Sequence, residues 1–371
     1  MPPRHVYVHV PFCARRCSYC DFSIAVRART PVNDYVRGVA GELATRFPDS
    51  REWSVDTIYL GGGTPSHLGA DGVRRLMDAL RTVFRPEADA EVTIEANPDD
   101  VTVEAVRGWR EAGIGRVSLG AQSFDDRVLA WMHRMHTADR THRAVEAMRE
   151  GGIEDWSLDL IFALPEELGR DWARDLDEAA RLDPPHVSLY GLTVEPRTPL
   201  ARWRDRGDVT ESPEERYESE FLAAHAAITG AGLEHYEVSN YARPGHRARH
   251  NSAYWSGVPY IGLGPAAHGF DGQSRRWNES AYAHWLARVD AGEDPRSGEE
   301  RLSEANQVAE TVYLGLRTER GLEISSAERE EVERWVRAGW GALVDGRLRL
   351  SPLGWLRLDA LAVALTRARS L

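Results

Sequence analysis

The stretch that decides the fold reads Tyr7-Val8-His9-Val10-Pro11-Phe12-Cys13-Ala14-Arg15-Arg16-Cys17-Ser18-Tyr19-Cys20-Asp21-Phe22. An apolar, β-branched run typical of a strand leads into a short segment that carries all three cysteines of the 371-residue chain. Three thiols cannot all pair as disulfides within one chain. Such tight clustering favours a metal centre over free buried cysteines.

Two kinds of metal centre would use three such thiols. Zinc takes four ligands, usually from paired knuckles; His9 is available as a fourth, but the C-x3-C-x2-C spacing is not that of a knuckle. Iron–sulfur clusters prefer thiolate ligands, and three thiolates leave one iron of a four-iron cluster open. The spacing therefore favours a [4Fe–4S] cluster held by Cys13, Cys17 and Cys20.

In its strand-then-loop context, this stretch resembles the signature of the radical S-adenosylmethionine superfamily. The resemblance implies that the open iron is chelated by the amino and carboxylate groups of S-adenosylmethionine. It also implies a mechanism in which one-electron reduction of the bound sulfonium yields a 5′-deoxyadenosyl radical.

The composition is that of a soluble folded protein, with 42% hydrophobic and 28% charged residues and a formal net charge of −12. No run of about 18 apolar residues is present, so we expect no integral membrane segment. The first seven residues contain no apolar signal core, so we expect a cytoplasmic location. The acidic balance disfavours a dedicated nucleic-acid binder.

The chain contains no lysine, because all its Lys and Arg positions are arginine. A Schiff-base lysine is therefore impossible, which excludes pyridoxal-phosphate enzymes and amine-dependent aldolases. A Walker P-loop is excluded for the same reason.

Apolar β-branched runs alternate with helical patterns along the first two-thirds of the chain. The predicted strands are His5–Pro11, Asp56–Gly61, Glu91–Ala96, Arg116–Ala121, Ser157–Ala163 and His186–Thr193. The predicted helices are Asn33–Arg46, Ala70–Phe84, Thr102–Ala112, Arg140–Glu150, Asp171–Arg181 and Pro213–Ala231. This α/β pattern indicates right-handed parallel crossovers and resembles the partial (β/α)6 barrel of the superfamily, over residues 1–235.

The alternation stops near residue 235. An aromatic and Gly-rich extension, predicted to close the site, follows over 236–295. Residues 296–371 indicate a small, mostly helical domain with a hairpin at 341–350, turned at Asp345-Gly346. This domain resembles a winged helix.

Chemistry in parallel barrels sits at the carboxyl ends of the strands, and polar residues follow several of the predicted ones. From the resemblance we expect S-adenosylmethionine to contact Tyr7, Tyr19, Gly62, Gly63, Thr64, Glu95, Gln122, Arg134 and Asp159. Taken alone, each of these residues has a simpler structural explanation: the glycines could form a tight turn, and Arg134 could be a solvated surface arginine. Glu95 could accept hydrogen bonds from ribose hydroxyls, and Arg134 could hold the methionine carboxylate.

In this order, these residues resemble the oxygen-independent coproporphyrinogen oxidase-like proteins. Two functions share that framework: coproporphyrinogen III dehydrogenase and the HemW-type haem chaperones. The dehydrogenases carry a fourth cysteine at the position of Phe22 and an N-terminal extension, whereas only six residues precede Tyr7 here. His250-Asn251-Ser252-Ala253-Tyr254-Trp255 resembles the H-N-x-x-Y-W motif of the chaperones.

We therefore expect a haem chaperone that binds the cluster, S-adenosylmethionine and haem and delivers haem to apoproteins, with an electron donor as a further partner. The alternatives are the dehydrogenase or a radical enzyme acting on another substrate. His250 is the candidate haem ligand, or else a structural histidine of an aromatic cluster. Other candidates for the haem site are His136, His246, His268, Arg243, Arg247 and Arg249.

Overall fold

The structure is a computed structural model that describes residues 3–48 and 53–369. The predicted first and third domains each extend two residues beyond this range, at 1–2 and 370–371, outside the described residues.

Most strands belong to one open sheet. In chain order the strands are β1 (His5–Val10), β2 (Phe12–Cys13), β3 (Ala25–Val26), β4 (Trp53–Gly62), β5 (Phe84–Ala96), β6 (Arg116–Gln122), β7 (Asp155–Phe162), β8 (His186–Gly191), β9 (Glu234–Glu237), β10 (Asn240–Ala242), β11 (Ile261–Leu263), β12 (His268–Phe270), β13 (Ser274–Asn278), β14 (Arg296–Arg301), β15 (Leu322–Glu323), β16 (Gly341–Val344) and β17 (Arg347–Leu350). All six predicted strands are confirmed, but β5 begins at Phe84 and not at the predicted Glu91, whereas the other strand ends differ by three residues at most.

The helices alternate with the strands of the barrel and then dominate the C-terminal region. They are α1 (Val32–Arg46), α2 (Gly69–Leu80), α3 (Val103–Glu111), α4 (Asp126–Trp131), α5 (Ala138–Gly151), α6 (Trp172–Leu182), α7 (Pro199–Asp205), α8 (Glu214–Gly230), α9 (Arg249–Trp255), α10 (Tyr282–Asp290), α11 (Glu304–Arg317), α12 (Arg329–Arg337), α13 (Pro352–Trp355) and α14 (Leu358–Arg369). Side-chain caps begin several of them; the Thr102 hydroxyl, for instance, accepts from the Ala105 amide at the start of α3. In the described part of the chain, no helix has the length and apolarity of a membrane span.

The main sheet has the order β11-β1-β4-β5-β6-β7-β8-β10-β9. The six barrel strands from β1 to β8 are parallel, because a helix returns the chain between each successive pair. Side chains such as Val8, Ile58, Leu60 and Leu119 are fully buried in the core between the sheet and its helices. This arrangement brings the carboxyl ends of all six strands to one rim.

The Gly-rich extension is integral to this sheet, since β11 pairs in parallel with β1. A buried carboxylate, Glu42 on α1, fastens it further. Glu42 forms an ion pair with Arg46 at 2.6 Å and accepts from the Trp285 indole at 3.0 Å and the Asn278 amide at 2.8 Å. Buried charges require such complete partnering, so this network holds the extension against α1.

The C-terminal region forms its own small core. Val312, Leu316, Trp335, Trp355 and Leu361 are buried together between α11, α12, α14 and the three-stranded sheet β15-β17-β16. The predicted hairpin is confirmed, with Asp345 and Gly346 both at positive φ in its turn. Its elements follow the order α11-β15-α12-β16-β17-α13-α14, in which the predicted hairpin stands between helices; the likeness to a winged helix stays a prediction.

The predicted domain limits remain predictions, although one falls within a strand of the main sheet and the other between two paired strands. The limit after residue 235 lies inside β9, and the limit after 295 separates β14 from its partner β13.

Glu237, on β9, lies where the C-terminal region packs against the main sheet. Its carboxylate accepts from the Asn240 amide and lies 4.0 Å from Arg317, and residue 237 is bridged to Thr318. Burial raises the pKa of Glu237 to about 7, from 4.5, despite the opposing effect of Arg317. The folded protein therefore favours the protonated carboxyl.

Because the folded-state pKa is the higher one, the stability that comes from the protonated Glu237 is complete below about pH 4.5 and lost as pH rises through 7. We expect Glu237→Gln to be more stable than the unmodified chain at pH 8, by up to about 3 kcal/mol, and less so at pH 5. Denaturant unfolding at both pH values measures this difference. Glu234→Gln, at an exposed position of the same strand, is the control, and an equal pH slope in all three proteins would contradict the prediction.

Candidate functional site

A cavity of about 470 Å³ opens at the rim formed by the carboxyl ends of the barrel strands. Most of the predicted cluster and cofactor residues line it: Cys13, Cys17, Cys20, Tyr19, Gly62, Gly63, Thr64, Glu95, Gln122, Arg134 and Asp159. These residues come from the loop after β1, from β4, β5, β6 and β7 or the residues that follow them, and, for Arg134, from the segment between α4 and α5. The fold thus brings together residues that are up to 146 positions apart in sequence (13 to 159).

The cysteine loop is tied to the barrel through its backbone. The Ser18 amide donates to the Met132 carbonyl at 3.0 Å, and the Ser18 carbonyl accepts from the Leu200 amide at 2.8 Å. Cys13 is buried, whereas Cys17 and Cys20 are partly exposed. Burial raises the pKa of the Cys13 thiol and raises that of Cys20 to about 11, so metal binding must displace protons from these thiols.

The three cysteines line one cavity and supply the thiol donors that an iron–sulfur cluster takes. Within residues 3–48 and 53–369, no three His, Cys, Asp or Glu side chains lie close enough to hold one metal ion. His9, the possible fourth zinc ligand, uses both ring nitrogens within the protein: Nδ1 bonds to the Tyr7 hydroxyl at 3.1 Å and Nε2 to the Ser23 carbonyl at 2.9 Å. The three thiols instead line one cavity, as a wider cluster requires.

The glycine loop after β4 packs directly against the cysteine loop. The Gly63 amide donates to the Val10 carbonyl and the Thr64 amide to the Phe12 carbonyl, both at 2.8 Å. Thr64 also donates its hydroxyl to the Cys13 sulfur at 3.3 Å. Gly62 has φ +112, and a Cβ there would lie 2.6 Å from the His9 ring. The glycines are thus needed for close approach of the two loops.

We expect Gly62→Ala to lower both thermal stability and cluster content. The methyl group collides with the His9 imidazole, and alanine is strained at this positive φ, for a cost of about 2–4 kcal/mol. Gly69→Ala is the matched control, since Gly69 also has a positive φ but no atom within 4 Å of its Cβ position. Thermal unfolding and iron analysis measure the effect. Equal losses in both variants would assign it to backbone strain alone.

Two partly buried carboxylates line the cavity. Glu95 accepts from the Tyr59 hydroxyl at 2.9 Å and from the Gly62 amide at 3.0 Å, and burial raises its pKa to about 7. Asp159 accepts from the hydroxyls of Ser118 at 2.8 Å and Ser157 at 2.9 Å, and burial raises its pKa too. Each carboxylate oxygen keeps a second acceptor position for a ligand hydroxyl or cation.

Arg134 connects the strand ends to the cluster loop. Its Nη1 donates to the Cys17 sulfur at 3.6 Å, and its Nη2 donates to the Asn97 side-chain oxygen at 2.6 Å and the Gly120 carbonyl at 2.7 Å. Asn97 in turn donates its Nδ2 to Thr64 Oγ1 at 3.3 Å. A continuous chain of hydrogen bonds therefore joins Cys17 to Cys13.

Asn97 is a cavity residue that the sequence reasoning missed, as are Ser118 and Tyr190. The available signal was position, because Asn97 and Tyr190 stand at the carboxyl ends of predicted strands, as Glu95 does. Phe22 lies at the mouth of the cavity with 59% of its surface exposed, an unusual position for a large apolar side chain.

Tyr7 and His250 do not line the cavity. Tyr7 lies beneath it and stacks on Tyr59 with 6.2 Å between ring centroids. His250 is 1% exposed, and its ring also stacks on Tyr59, with 5.1 Å between the ring centroids.

Both ring nitrogens of His250 are engaged: Nδ1 with Thr57 Oγ1 at 2.6 Å and Nε2 with the Tyr254 hydroxyl at 2.9 Å. A haem iron would have to break one of these bonds. The geometry therefore supports the alternative interpretation of His250, a structural histidine in an aromatic cluster.

The remaining candidates for the haem site also lie elsewhere. His136 and His246 bond to the Ala121 carbonyl and to Asp155, and His268 lies on β12; none lines the cavity. The arginines before His250 pair with surface carboxylates of the chain itself, as in the pairs Arg243–Asp183, Arg247–Glu319 and Arg249–Asp89.

Three comparisons with known proteins agree with this geometry. The model of the radical SAM superfamily matches residues 7–179. The protein described as heme chaperone HemW of Mycobacterium tuberculosis is 37% identical over 96% of this chain and 93% of its own length. Those of Synechocystis and Escherichia coli are also 37% identical, over 86% and 72% of this chain and 79% and 70% of theirs.

Among solved structures, the radical SAM enzyme coproporphyrinogen III oxidase (HemN) of Escherichia coli superposes with a TM-score of 0.81. The superposition covers 98% of this chain and 90% of the enzyme, at 23% identity. At that identity, the likeness establishes the fold alone. It confirms the predicted α/β radical SAM fold over nearly the whole chain.

Proposed function

The chain belongs to the radical SAM superfamily and, within it, to the family of the HemW haem chaperones, and on that premise we propose that it binds haem and delivers it to apoproteins. The observation that carries the proposal is the match to the M. tuberculosis relative, which spans almost the full length of both proteins. The haem-accepting apoproteins and an electron donor complete the proposal as partners.

In this proposal Cys13, Cys17 and Cys20 hold a [4Fe–4S] cluster. The support is the arrangement of the three thiols on one cavity wall, with a hydroxyl donor to Cys13 and a guanidinium donor to Cys17. Donors of this kind orient the ligands and tune the reduction potential of a cluster.

The same cavity would take S-adenosylmethionine. Its charged and polar walls suit that ligand, since Arg134 offers a cation to a carboxylate, while Glu95 and Asp159 offer acceptors to hydroxyls or to a positive centre. Gly62, Gly63, Thr64, Gln122 and Tyr19 complete the proposed contacts, with Tyr7 supporting the floor from beneath. When bound, the cluster and S-adenosylmethionine together supply one-electron reduction chemistry.

The residues of the chain themselves hold the ligand and orient it. The bonds from Tyr59 and Gly62 fix both oxygens of Glu95, and the serine hydroxyls fix those of Asp159. These preformed bonds allow a ligand to be bound without reordering the cavity floor.

Coproporphyrinogen III dehydrogenase is the second candidate function, and the observation in its favour is the fold shared with HemN. Phe22 disfavours this second function, because the family resemblance implies a cysteine at that position in the dehydrogenases. An exposed phenylalanine at the mouth of the cavity supplies no ligand to a metal.

An anaerobic haem titration of the cluster-reconstituted chain tests the proposal. We expect saturable binding of about one haem per chain, transfer of that haem to a haem-free b-type cytochrome, and no decarboxylation of coproporphyrinogen. Decarboxylation without haem binding would support the second function instead. If neither haem nor coproporphyrinogen is bound, both candidates are wrong and the substrate is another molecule.

A further inference from the structure

A second cavity, of about 700 Å³, lies between the end of α9, the sheet β12-β13-β14 and the C-terminal helices. A smaller cavity of about 370 Å³ adjoins it, and both are lined by Trp255, Ser256, Leu314, Gly315 and Arg320. We call the two together the Trp255 cleft. Its size is typical of cofactor sites, which often lie where two structural units meet. None of the residues proposed for the cluster or S-adenosylmethionine lines it.

Polar and charged side chains make up about half of the lining of the larger part of the cleft, and the other half is apolar and aromatic. Phe270, Leu302, Leu314 and Leu322 contribute to it, together with the indole of Trp255. A lining of this composition favours a ligand that combines an apolar face with polar groups.

Several polar atoms at the cleft are buried without a hydrogen-bond partner among the described residues. They include the indole nitrogen of Trp255, Nε of Arg317 and one carboxylate oxygen of Glu237. The Arg317 guanidinium lies 4.2 Å from the centre of the Trp255 ring, and Glu237, which is fully buried, lines the smaller cavity. Unpartnered buried polar groups are rare in folded proteins, so their concentration here indicates an occupant with polar atoms, either a ligand or ordered water.

The charges of the cleft identify the polar part of that occupant. Every carboxylate that lines it lies within 4.0 Å of an arginine of this chain, in the pairs Glu237–Arg317, Glu310–Arg275, Glu319–Arg247, Glu323–Arg347 and Glu328–Arg369. Arg320 and Arg349 also line the cleft, yet neither side chain has a partner among the described residues. Their two guanidinium groups are therefore left to bind carboxylates of a ligand.

We propose that the Trp255 cleft is the haem site, and that it recognises a porphyrin through its apolar ring and its two carboxylates. In this arrangement the ring packs on Trp255 and Leu314, and the carboxylates face Arg320 and Arg349. The inference rests on the proposed function, which requires a haem site but does not place it. It also assigns structural roles to the HNxxYW segment. His250 anchors the start of α9 in the barrel, and Trp255, at the end of α9, lines the cleft.

The lining also determines how the porphyrin is held. Among the residues that the structure describes, no histidine, cysteine or methionine lines the cleft. The hydroxyl of Tyr236, the one described tyrosine that lines it, is already bonded to His186 and to the Ala248 amide. The iron therefore receives no ligand here. Binding should depend on the ring and its carboxylates and not on the metal, which also leaves the iron free for a ligand from the acceptor protein.

The test compares haem with iron-free protoporphyrin, both titrated into the full-length, cluster-reconstituted chain and followed by porphyrin absorbance. We expect the two dissociation constants to agree within about threefold. In the double variant Arg320→Glu/Arg349→Glu, both ligands should bind at least about tenfold more weakly. Arg337→Glu is the matched control, because Arg337 is exposed on the same small domain but does not line the cleft.

The dimethyl ester of protoporphyrin, in which both carboxylates are blocked, distinguishes binding through the carboxylates from binding through the ring. It should bind the unmodified chain more weakly than the diacid does, and the double variant should bind it as well as the unmodified chain does. If the double variant binds haem as tightly as the unmodified chain, the site is wrong while the proposed function stands. Binding of haem but not of the iron-free ring would likewise overturn the site, in favour of one with an iron ligand. If the unmodified chain binds no haem at all, the proposed function fails together with the site.

Discussion

Replacement of Cys20 by alanine is expected to reduce the iron content of the anaerobically reconstituted chain to less than about a tenth of its unmodified value. The chain has only three cysteines, all lining the same cavity, so no other thiol can substitute for the one removed. The two remaining thiols would leave a second iron without a protein ligand. Iron and sulfide analysis, with the absorbance of the cluster near 400 nm, measures the loss.

The same result is expected for Cys13→Ala and Cys17→Ala. Arg29→Ala is the control, because Arg29 is exposed in the segment that follows the cysteine loop and does not line the cavity. Retention of a full cluster in any cysteine variant would contradict the assignment. One zinc per chain and no iron in the unmodified protein would instead establish the zinc alternative.

The second large effect is expected from Arg134→Ala. This change removes the N–H donor to the Cys17 sulfur and the only arginine of the hydrogen-bond chain that joins Cys17 to Cys13. Loss of a charge-assisted contact of about 1.5–3 kcal/mol predicts S-adenosylmethionine binding that is weaker by at least about tenfold. Loss of the donor should also lower the reduction potential of the cluster, because N–H donors stabilise its more negative reduced form.

Asn97→Ala tests whether Asn97 acts through Arg134. It leaves the guanidinium in place but removes the acceptor 2.6 Å from Nη2, so we expect a smaller change of the same sign in both affinity and potential. Arg127→Ala, at an exposed ion pair with Asp125, should change neither. Calorimetric titration with S-adenosylmethionine and redox titration followed by electron paramagnetic resonance measure the two quantities. An unchanged potential in Arg134→Ala would show that the contact with Cys17 has no influence on the cluster.

Much of the barrel was predictable because its signals are local. The runs that form β1 and β7 place apolar residues at every second position, Val6, Val8 and Val10 in β1 and Trp156, Leu158 and Leu160 in β7, as strands do that bury one face against helices. The helices between the strands show their own periodicity. The cysteine spacing and the glycines after β4 are equally local. Once parallel crossovers were inferred, the position of Glu95 and Gln122 at the strand ends followed, and the structure places both in the cavity.

The sequence by itself therefore determined the α/β class, the positions of six strands along the chain, the cluster loop and most of the cavity wall, since each depends on residues close together in the chain. Only the tertiary structure decided which side chains lie together in the same cavity or cluster. It buried His250 against Tyr59 and not in the cavity, and it joined Asn97 to Arg134. It also set Trp255 opposite Arg320 in a cleft between two parts of the chain. The physical reason is that burial and hydrogen-bond partners depend on long-range packing, which no local pattern of residues encodes.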